Sequence, residues 1–307
     1  MGKPSIKIFP DNKEVSITPE ETILDASLKA EIKHAHACGG KGNCSTCRVI
    51  ITKGIEYLEE RTEKEQRLSE KLGFDDCIRL ACQTRVNGTV SIKRPIIDEH
   101  DMQLALSQLK GNGTVTQLGQ DLDLAIVFFD IVGYTPFVEK NLAYDVIHIL
   151  NRYYSIANDN ITKYNGRIID YYGDGILAVF GLKHKENPAL DAVNSIFGLI
   201  TQLESFNEYL QSMFDHQFEV RAGIHYGPVI VGTVGADGAG KFTVIGDGVN
   251  LASRIETANK TCGTKLLLSE EAKDLVKNDV TIKQEFLTTL KGKSGKYKLY
   301  EVASKRA

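Results

Sequence analysis

Cys38, Cys44, Cys47 and Cys82 stand in the order C-x5-C-x2-C-x34-C. Three of them fall in the run His36-Ala37-Cys38-Gly39-Gly40-Lys41-Gly42-Asn43-Cys44-Ser45-Thr46-Cys47. Thiolates so placed suit a [2Fe–2S] cluster, which needs four of them converging on two irons. One tight loop can supply three, and its glycines let the backbone wrap inorganic sulfide without side-chain clashes. Two other chemistries compete. Cys44-x-x-Cys47 alone is a redox dithiol or half a zinc site. A zinc site would usually bring a second close Cys or His pair, whereas Cys77 and Cys82 are separated by four residues.

A second constellation is built on carboxylates. The apolar run Leu124-Ala125-Ile126-Val127-Phe128-Phe129 reads as a buried strand ending on Asp130, with Ile131-Val132-Gly133-Tyr134-Thr135 opening a helix. An Asp at such a strand tip can hold Mg²⁺ while the backbone N–H groups that follow face phosphates. Arg167–Tyr172 and Ile176–Phe180 form a hairpin that turns through Gly173-Asp174-Gly175. Alone, Gly-Asp-Gly is a turn and nothing more. Beside Asp130 it adds a second carboxylate, and two such groups can share a metal pair. Lys241 to Glu256 reads as strand, turn and helix, with Asn250 and Arg254 four apart on one helix face. An isolated pair at that spacing is an ordinary surface feature.

The cysteine segment, with Arg79-Leu80-Ala81-Cys82-Gln83-Thr84 as its late ligand motif, resembles a [2Fe–2S] ferredoxin with five residues between its first two ligands. From about Leu122 to Val302 the chain resembles the catalytic domain of class III nucleotide cyclases, the adenylyl and guanylyl cyclase family. Phe129-Asp130-Ile131-Val132-Gly133-Tyr134-Thr135, Tyr172-Gly173-Asp174-Gly175, Ala222-Gly223-Ile224-His225-Tyr226-Gly227, Asn250…Arg254 and Leu290-Lys291-Gly292-Lys293 carry that resemblance, in order.

The cyclase resemblance implies that Asp130 and Asp174, with the Ile131 carbonyl, bind two Mg²⁺ or Mn²⁺ ions. One ion activates the ribose 3′-hydroxyl and the other holds the triphosphate. It further implies that Gly133, Tyr134 and Thr135 lie along the phosphates and that Asn250 orients the ribose. Arg254 stabilises charge in the transition state, and Lys291 or Lys293 grips the terminal phosphates. In this family the metal residues and the Asn/Arg pair act from opposite subunits, so a head-to-tail homodimer is expected of a chain carrying both. Adenylyl cyclases typically place a base-reading Lys where this chain has Asp170, and its partner position is Thr243. An acidic group there can accept from N1–H and the 2-amino group of guanine, with Thr243 donating to O6. Asp is also one methylene shorter than the Glu of guanylyl cyclases. ATP is the expected substrate and GTP the alternative.

These groups need elements to hold them. Ser5 to Phe9 and Glu14 to Thr18 form a hairpin, and Pro19-Glu20-Glu21-Thr22 starts a short helix bearing Ile23, Leu24, Ala26 and Leu28. After the cysteine loop come a strand at 48–52, a charged helix at 62–72 and a strand at 89–93. The expected class is α+β: a β-grasp, ferredoxin-like domain over residues 1–97, followed by a cyclase domain of ferredoxin-like α/β sandwich type over 122–307. Residues 98–121 read as a linker with a short helix at Met102 to Leu109, either a plain connector or a helix that pairs with its copy.

At 307 residues, 42% hydrophobic and 25% charged with net charge −3, the chain fits two globular domains and offers no basic surface for nucleic acid. No run of eighteen apolar residues marks a membrane span. The start, Met1 to Ile6, lacks a signal-peptide core, and Ile6 stands where a myristoylation signal has Ser or Thr. With Cys77 and Cys262 as free thiols, a reducing, cytoplasmic setting is expected. A redox partner protein is a further candidate. The reading from another class is an iron–sulfur electron-transfer protein whose second domain only binds nucleotide; the intact Asp130, Asp174, Asn250 and Arg254 set argues against it.

Overall fold

The computed structural model describes residues 4–99, 101–102, 119–184, 186–235 and 240–305. The chain divides into two compact units, residues 1–118 and 119–307. The expected linker helix falls largely on 103–118, outside the described residues. At its start, residues 99, 101 and 102 are helical, and the Asp98 carboxylate accepts from the Asp101 backbone N–H at 2.8 Å.

In the N-terminal unit β1 (Ser5–Phe9) and β2 (Lys13–Ser16) form the expected hairpin. α1 (Ile23–Lys29) begins at Thr22, which exchanges capping-box hydrogen bonds with Asp25. β3 (Arg48–Lys53), α2 (Glu63–Leu72), β4 (Ile78–Leu80) and β5 (Val90–Lys93) follow. The sheet runs β2-β1-β5-β3-β4, with β1 and β5 parallel and the other pairs antiparallel. Ile6, Ile8, Val49, Leu80 and Ile92 bury one sheet face against Ile23, Leu24 and Ala26 of α1. This is the β-grasp arrangement.

The C-terminal unit is a single eight-stranded sheet. Its elements are β6 (Gln120–Val132), α3 (Tyr134–Lys140), α4 (Ala143–Lys163), β7 (Arg167–Tyr172), β8 (Gly175–Phe180), α5 (Pro188–Phe214) and β9 (Glu219–Val234). Then come β10 (Lys241–Ile245), α6 (Asp247–Cys262), β11 (Leu266–Ser269), α7 (Glu270–Val276), β12 (Val280–Thr288) and β13 (Tyr297–Lys305). Strand order is β12-β13-β11-β9-β6-β8-β7, with β10 paired to β9. Alternation along β6 divides the unit into two cores. Val127, Phe129 and Ile131 pack with Ile149 and Tyr153 of α4 and Ile196 and Leu199 of α5. Leu124 and Ile126 face the other way, onto Leu177, Val179, Val244 and Ala252 of α6.

Asp130 shares the α6-side parity of Leu124 and Ile126. It does not end its strand, as the apolar run suggested: β6 continues to Val132 because β9 pairs with it residue by residue as far as Glu219. At the C-terminal end β12 and β13 form an edge hairpin with exposed polar positions along it. Among the described residues no helix is long and apolar enough to cross a membrane.

Candidate functional site

Two groups of side chains could do chemistry. The first is the thiol loop. Gly40 and Gly42 have φ of 76° and 71°, and a Cβ on Gly42 would lie 3.1 Å from the Gln83 side chain. These glycines let the loop bend back toward the segment that follows β4. The Cys47 thiol donates to the Cys82 sulfur at 3.4 Å, and Cys44 Sγ lies 3.1 Å from the Thr46 hydroxyl. The thiol of Cys47 lowers Cys82 to about 6, and the same contact, with burial, pushes Cys47 upward. Cys38 is lowered too: burial works against this, but the Asn43 N–H and the Cys44 thiol prevail.

No group of three His, Cys, Asp or Glu placed to hold one metal ion occurs among the described residues. Four cysteines brought together by one loop and the segment after β4, with Cys47 and Cys82 already in contact, suit a two-iron centre better than a single zinc. Cys77, whose thiol donates to Asp75 at 2.9 Å, and Cys262, at the end of α6, stay apart from this group.

The Cys82 segment is braced by a buried carboxylate. Glu65 of α2 accepts from Arg79 Nε and Nη2, both at 3.0 Å, and from the Leu80 N–H at 2.6 Å. The two charged side chains are 0% and 5% exposed. Ala81 then donates its N–H to the Cys47 carbonyl at 3.1 Å, tying the late ligand segment to the loop. His34 lies buried nearby, with no partner on either ring nitrogen. Burial, and then Arg94, holds it down to about 4, so it is neutral.

The second group lies on the α6 side of the larger sheet. Burial raises the pKa of Asp174, and the charge of Asp130 adds to the shift, against the pull of the backbone N–H groups of Asp174 and Ile131. Asp130 Oδ1 is buried with no hydrogen-bond partner, and so is Glu256 Oε1 of α6. Burial and then the adjacent Asp130 push Glu256 up to about 7. Crowded, poorly solvated carboxylates with an orphaned oxygen suit a cation, so the residues fit a divalent metal. Gly133, at φ 78°, caps α3, which places Tyr134 and Thr135 directly after β6. The Tyr154 hydroxyl donates to the Gly173 carbonyl and fixes the turn that carries Asp174.

Arg254 turns elsewhere. It lies two residues before Glu256, about 200° round the helix. A Cβ on Gly292 would sit 3.5 Å from Arg254 Nη2, which puts the Lys291-Gly292-Lys293 turn beside it. Lys293, rather than Lys291, is ion-paired with Asp247 at the start of α6. Asn250 is exposed one turn before Arg254. One chain therefore does not converge the Asp130/Asp174 pair and the Asn250/Arg254 pair on one point; it sets them on different sides of α6.

Asp170 is engaged by a residue that sequence reasoning passed over. Lys241 Nζ lies 2.5 Å from its Oδ1, and the Tyr171 N–H donates to the same oxygen at 2.9 Å. Thr243 sits two positions along β10 from Lys241, with the core-facing Phe242 between them and Val244 after it. Glu256 and Glu65 were missed as well. The helical period did signal Glu256, which shares the buried face of Ala252 and Asn259.

Residues 118–304 match the family model of the adenylate and guanylate cyclase catalytic domain, and residues 6–87 match that of the 2Fe-2S iron-sulfur cluster binding domain. The chain is 26% identical over 262 residues to adenylate cyclase 1 of Rhizobium meliloti, covering 82% of this chain and 39% of that protein. It is 33% identical over 183 residues to the terminal-differentiation-specific adenylate cyclase of Dictyostelium discoideum, covering 58% of this chain and 8% of that protein. The match thus spans under two fifths of either relative. The crystal structure of the adenylyl cyclase CyaB from P. aeruginosa superposes with a TM-score of 0.57 at 28% identity, over 61% of this chain and 97% of that one. That of the guanylyl cyclase Cya2 does so with 0.58 at 27%, over 61% and 95%.

Proposed function

This chain belongs to the adenylate and guanylate cyclase family and carries a 2Fe-2S cluster binding domain ahead of the catalytic one, and we propose that it cyclises ATP at sites shared between two copies, at a rate set by the state of its cluster. The observation that carries the reading is the orphaned Asp130 carboxylate beside Asp174, on a different side of α6 from Asn250 and Arg254.

In the reaction, the ribose 3′ oxygen bonds to the α-phosphorus, the bond to pyrophosphate breaks, and one proton is released. Divalent ions held by Asp130, Asp174 and the Ile131 carbonyl would ease loss of the 3′ proton and offset charge on the triphosphate. Asn250 of the other copy orients the ribose by hydrogen bonding. Arg254 places a permanent cation where negative charge grows around phosphorus. Lys293, already turned toward the start of α6 by Asp247, is better placed than Lys291 to meet the phosphates. Gly133, Tyr134 and Thr135 line the entry to α3, where backbone N–H groups point outward.

Cys38, Cys44, Cys47 and Cys82 would hold the [2Fe–2S] cluster and supply one-electron chemistry there. Residues 98–121 join this domain to the cyclase domain, so a change in charge or order at the thiol loop has a covalent route to β6. A coupling of this kind is worth about 5- to 150-fold. The test incubates the full chain with ATP or GTP and Mg²⁺ or Mn²⁺ and measures cyclic nucleotide together with pyrophosphate. It is run on oxidised, dithionite-reduced and cluster-free protein. Equal molar release of both products is expected, with unequal rates among the three states. Absence of both products in all states would refute the enzyme reading, and equal rates would refute regulation.

A further inference from the structure

A bare carboxylate at position 170 would be suited to guanine, but this carboxylate is not bare. The register of β7 against β8 slips between Ile168 and Asp170, so that Ile169 and Asp170 both turn to the α6 side. There Asp170 Oδ1 takes the Lys241 ammonium at 2.5 Å and the Tyr171 N–H at 2.9 Å. β10, which carries Lys241, is pinned next to β7 by the Arg167 guanidinium, 3.8 Å from the Phe242 ring centroid.

The ammonium has three donors. One is spent on Asp170, and the Lys241 side chain remains 56% exposed, so the others are open to a ligand. Resting on the cyclase reading above, we propose that Lys241, aimed by Asp170, reads the purine base and selects ATP, with Asp170 as a positioning residue that does not itself touch the ring. Adenine N1 is an acceptor and meets the ammonium. Guanine presents N1–H and a 2-amino group, two donors that an ammonium cannot accept, and Asp170 Oδ1 is already engaged by Lys241 and the Tyr171 N–H; at Lys241 only guanine O6 finds a match. The lysine expected at position 170 is thereby replaced in its chemistry by one from the neighbouring strand.

The test measures binding separately from turnover. Full-length protein with Mg²⁺ is titrated calorimetrically with 3′-deoxy-ATP and 3′-deoxy-GTP, which lack the attacking hydroxyl. Intact protein should bind the adenine analogue more tightly. Lys241→Met, an exposed position whose folding is checked by circular dichroism, should lower the adenine-to-guanine affinity ratio by about 10- to 100-fold, the range for losing a charged hydrogen bond. Lys241→Arg should retain most of the ratio, and Asp170→Asn should lower it by less than Lys241→Met.

An unchanged ratio in folded Lys241→Met would overturn the proposal. So would a ratio that follows Asp170→Asn but not Lys241→Met, a guanine preference in the intact protein, or no binding of either analogue. Assays with ATP and GTP separate this from the cyclase reading. A Lys241-dependent ratio without cyclic product sinks that reading and leaves this one standing; product with a Lys241-independent ratio does the reverse.

Discussion

The four thiols of the N-terminal unit lie within one small fold, whereas the charged groups of the C-terminal unit are dealt to two sides of one helix. Cys47 and Cys82 already touch, and the segment that carries Cys82 is braced by the Glu65–Arg79 pair. Nothing from a second copy is needed to complete that group. On α6, by contrast, Glu256 turns to Asp130 while Arg254 turns to the Gly292 turn. A self-contained site is ready as soon as its domain folds. If the proposed shared site holds, a divided site would be complete only when two copies align, and its rate would be sensitive to any rotation between them.

The sharpest way to break the first half of this comparison is to remove a ligand. Cys47→Ser should abolish the visible absorption and the reducible paramagnetic signal of the cluster, whereas Cys262→Ser should leave both intact. Equal retention in the two variants would show that Cys47 is not a ligand.

A smaller effect follows from the brace. Glu65→Ala leaves the Arg79 guanidinium buried without its counter-charge and the Leu80 N–H without an acceptor, at a cost of about 3–5 kcal/mol. Chemical denaturation followed at the cluster absorption should show the N-terminal transition at much lower denaturant, with the C-terminal transition unmoved. A shift of under ~1 kcal/mol would mean that backbone pairing alone holds the Cys82 segment.

Smaller again is the pH response of the divided site. Glu256 moves from 4.5 to about 7 on folding, so between those values the folded chain binds more protons than the unfolded one. Stability of the metal-free protein should therefore fall as pH rises through that window, by about 1–3 kcal/mol. In chelator, the melting temperature of the C-terminal unit should drop from pH 5 to pH 7.5 in the wild type and drop less in Glu256→Gln. An identical drop in both would remove Glu256 from the account.

What the sequence revealed depended on how local each signal was. The thiol loop was legible because three ligands and their glycines lie within ten residues, and α1 because Thr22 and Asp25 form its cap in place. Both folds and the Asp130, Asp174, Asn250 and Arg254 motifs followed from runs of comparable length. Glu65 was not legible: its partners Arg79 and Leu80 are 14 and 15 residues away, and an acidic residue in a charged helix reads as solvated. β4 is three residues long, too short for any period to show. The end of β6 was misplaced because β9, far along the chain, sets its length. The Asp170–Lys241 ion pair was not legible because neither the β-bulge that turns Asp170 nor its partner on β10 has a local signature.

The central claim, that each catalytic site draws its two halves from two copies, is tested most directly by mixing disabled proteins. Asp130→Ala and Arg254→Ala should each lower turnover by roughly a hundredfold or more. After subunit exchange, verified with differently tagged copies, half of the dimers carry both variants and one intact site each, so activity should return to roughly a quarter of the wild-type value. Activity that stays at the level of the separate variants, with exchange demonstrated, would contradict the account.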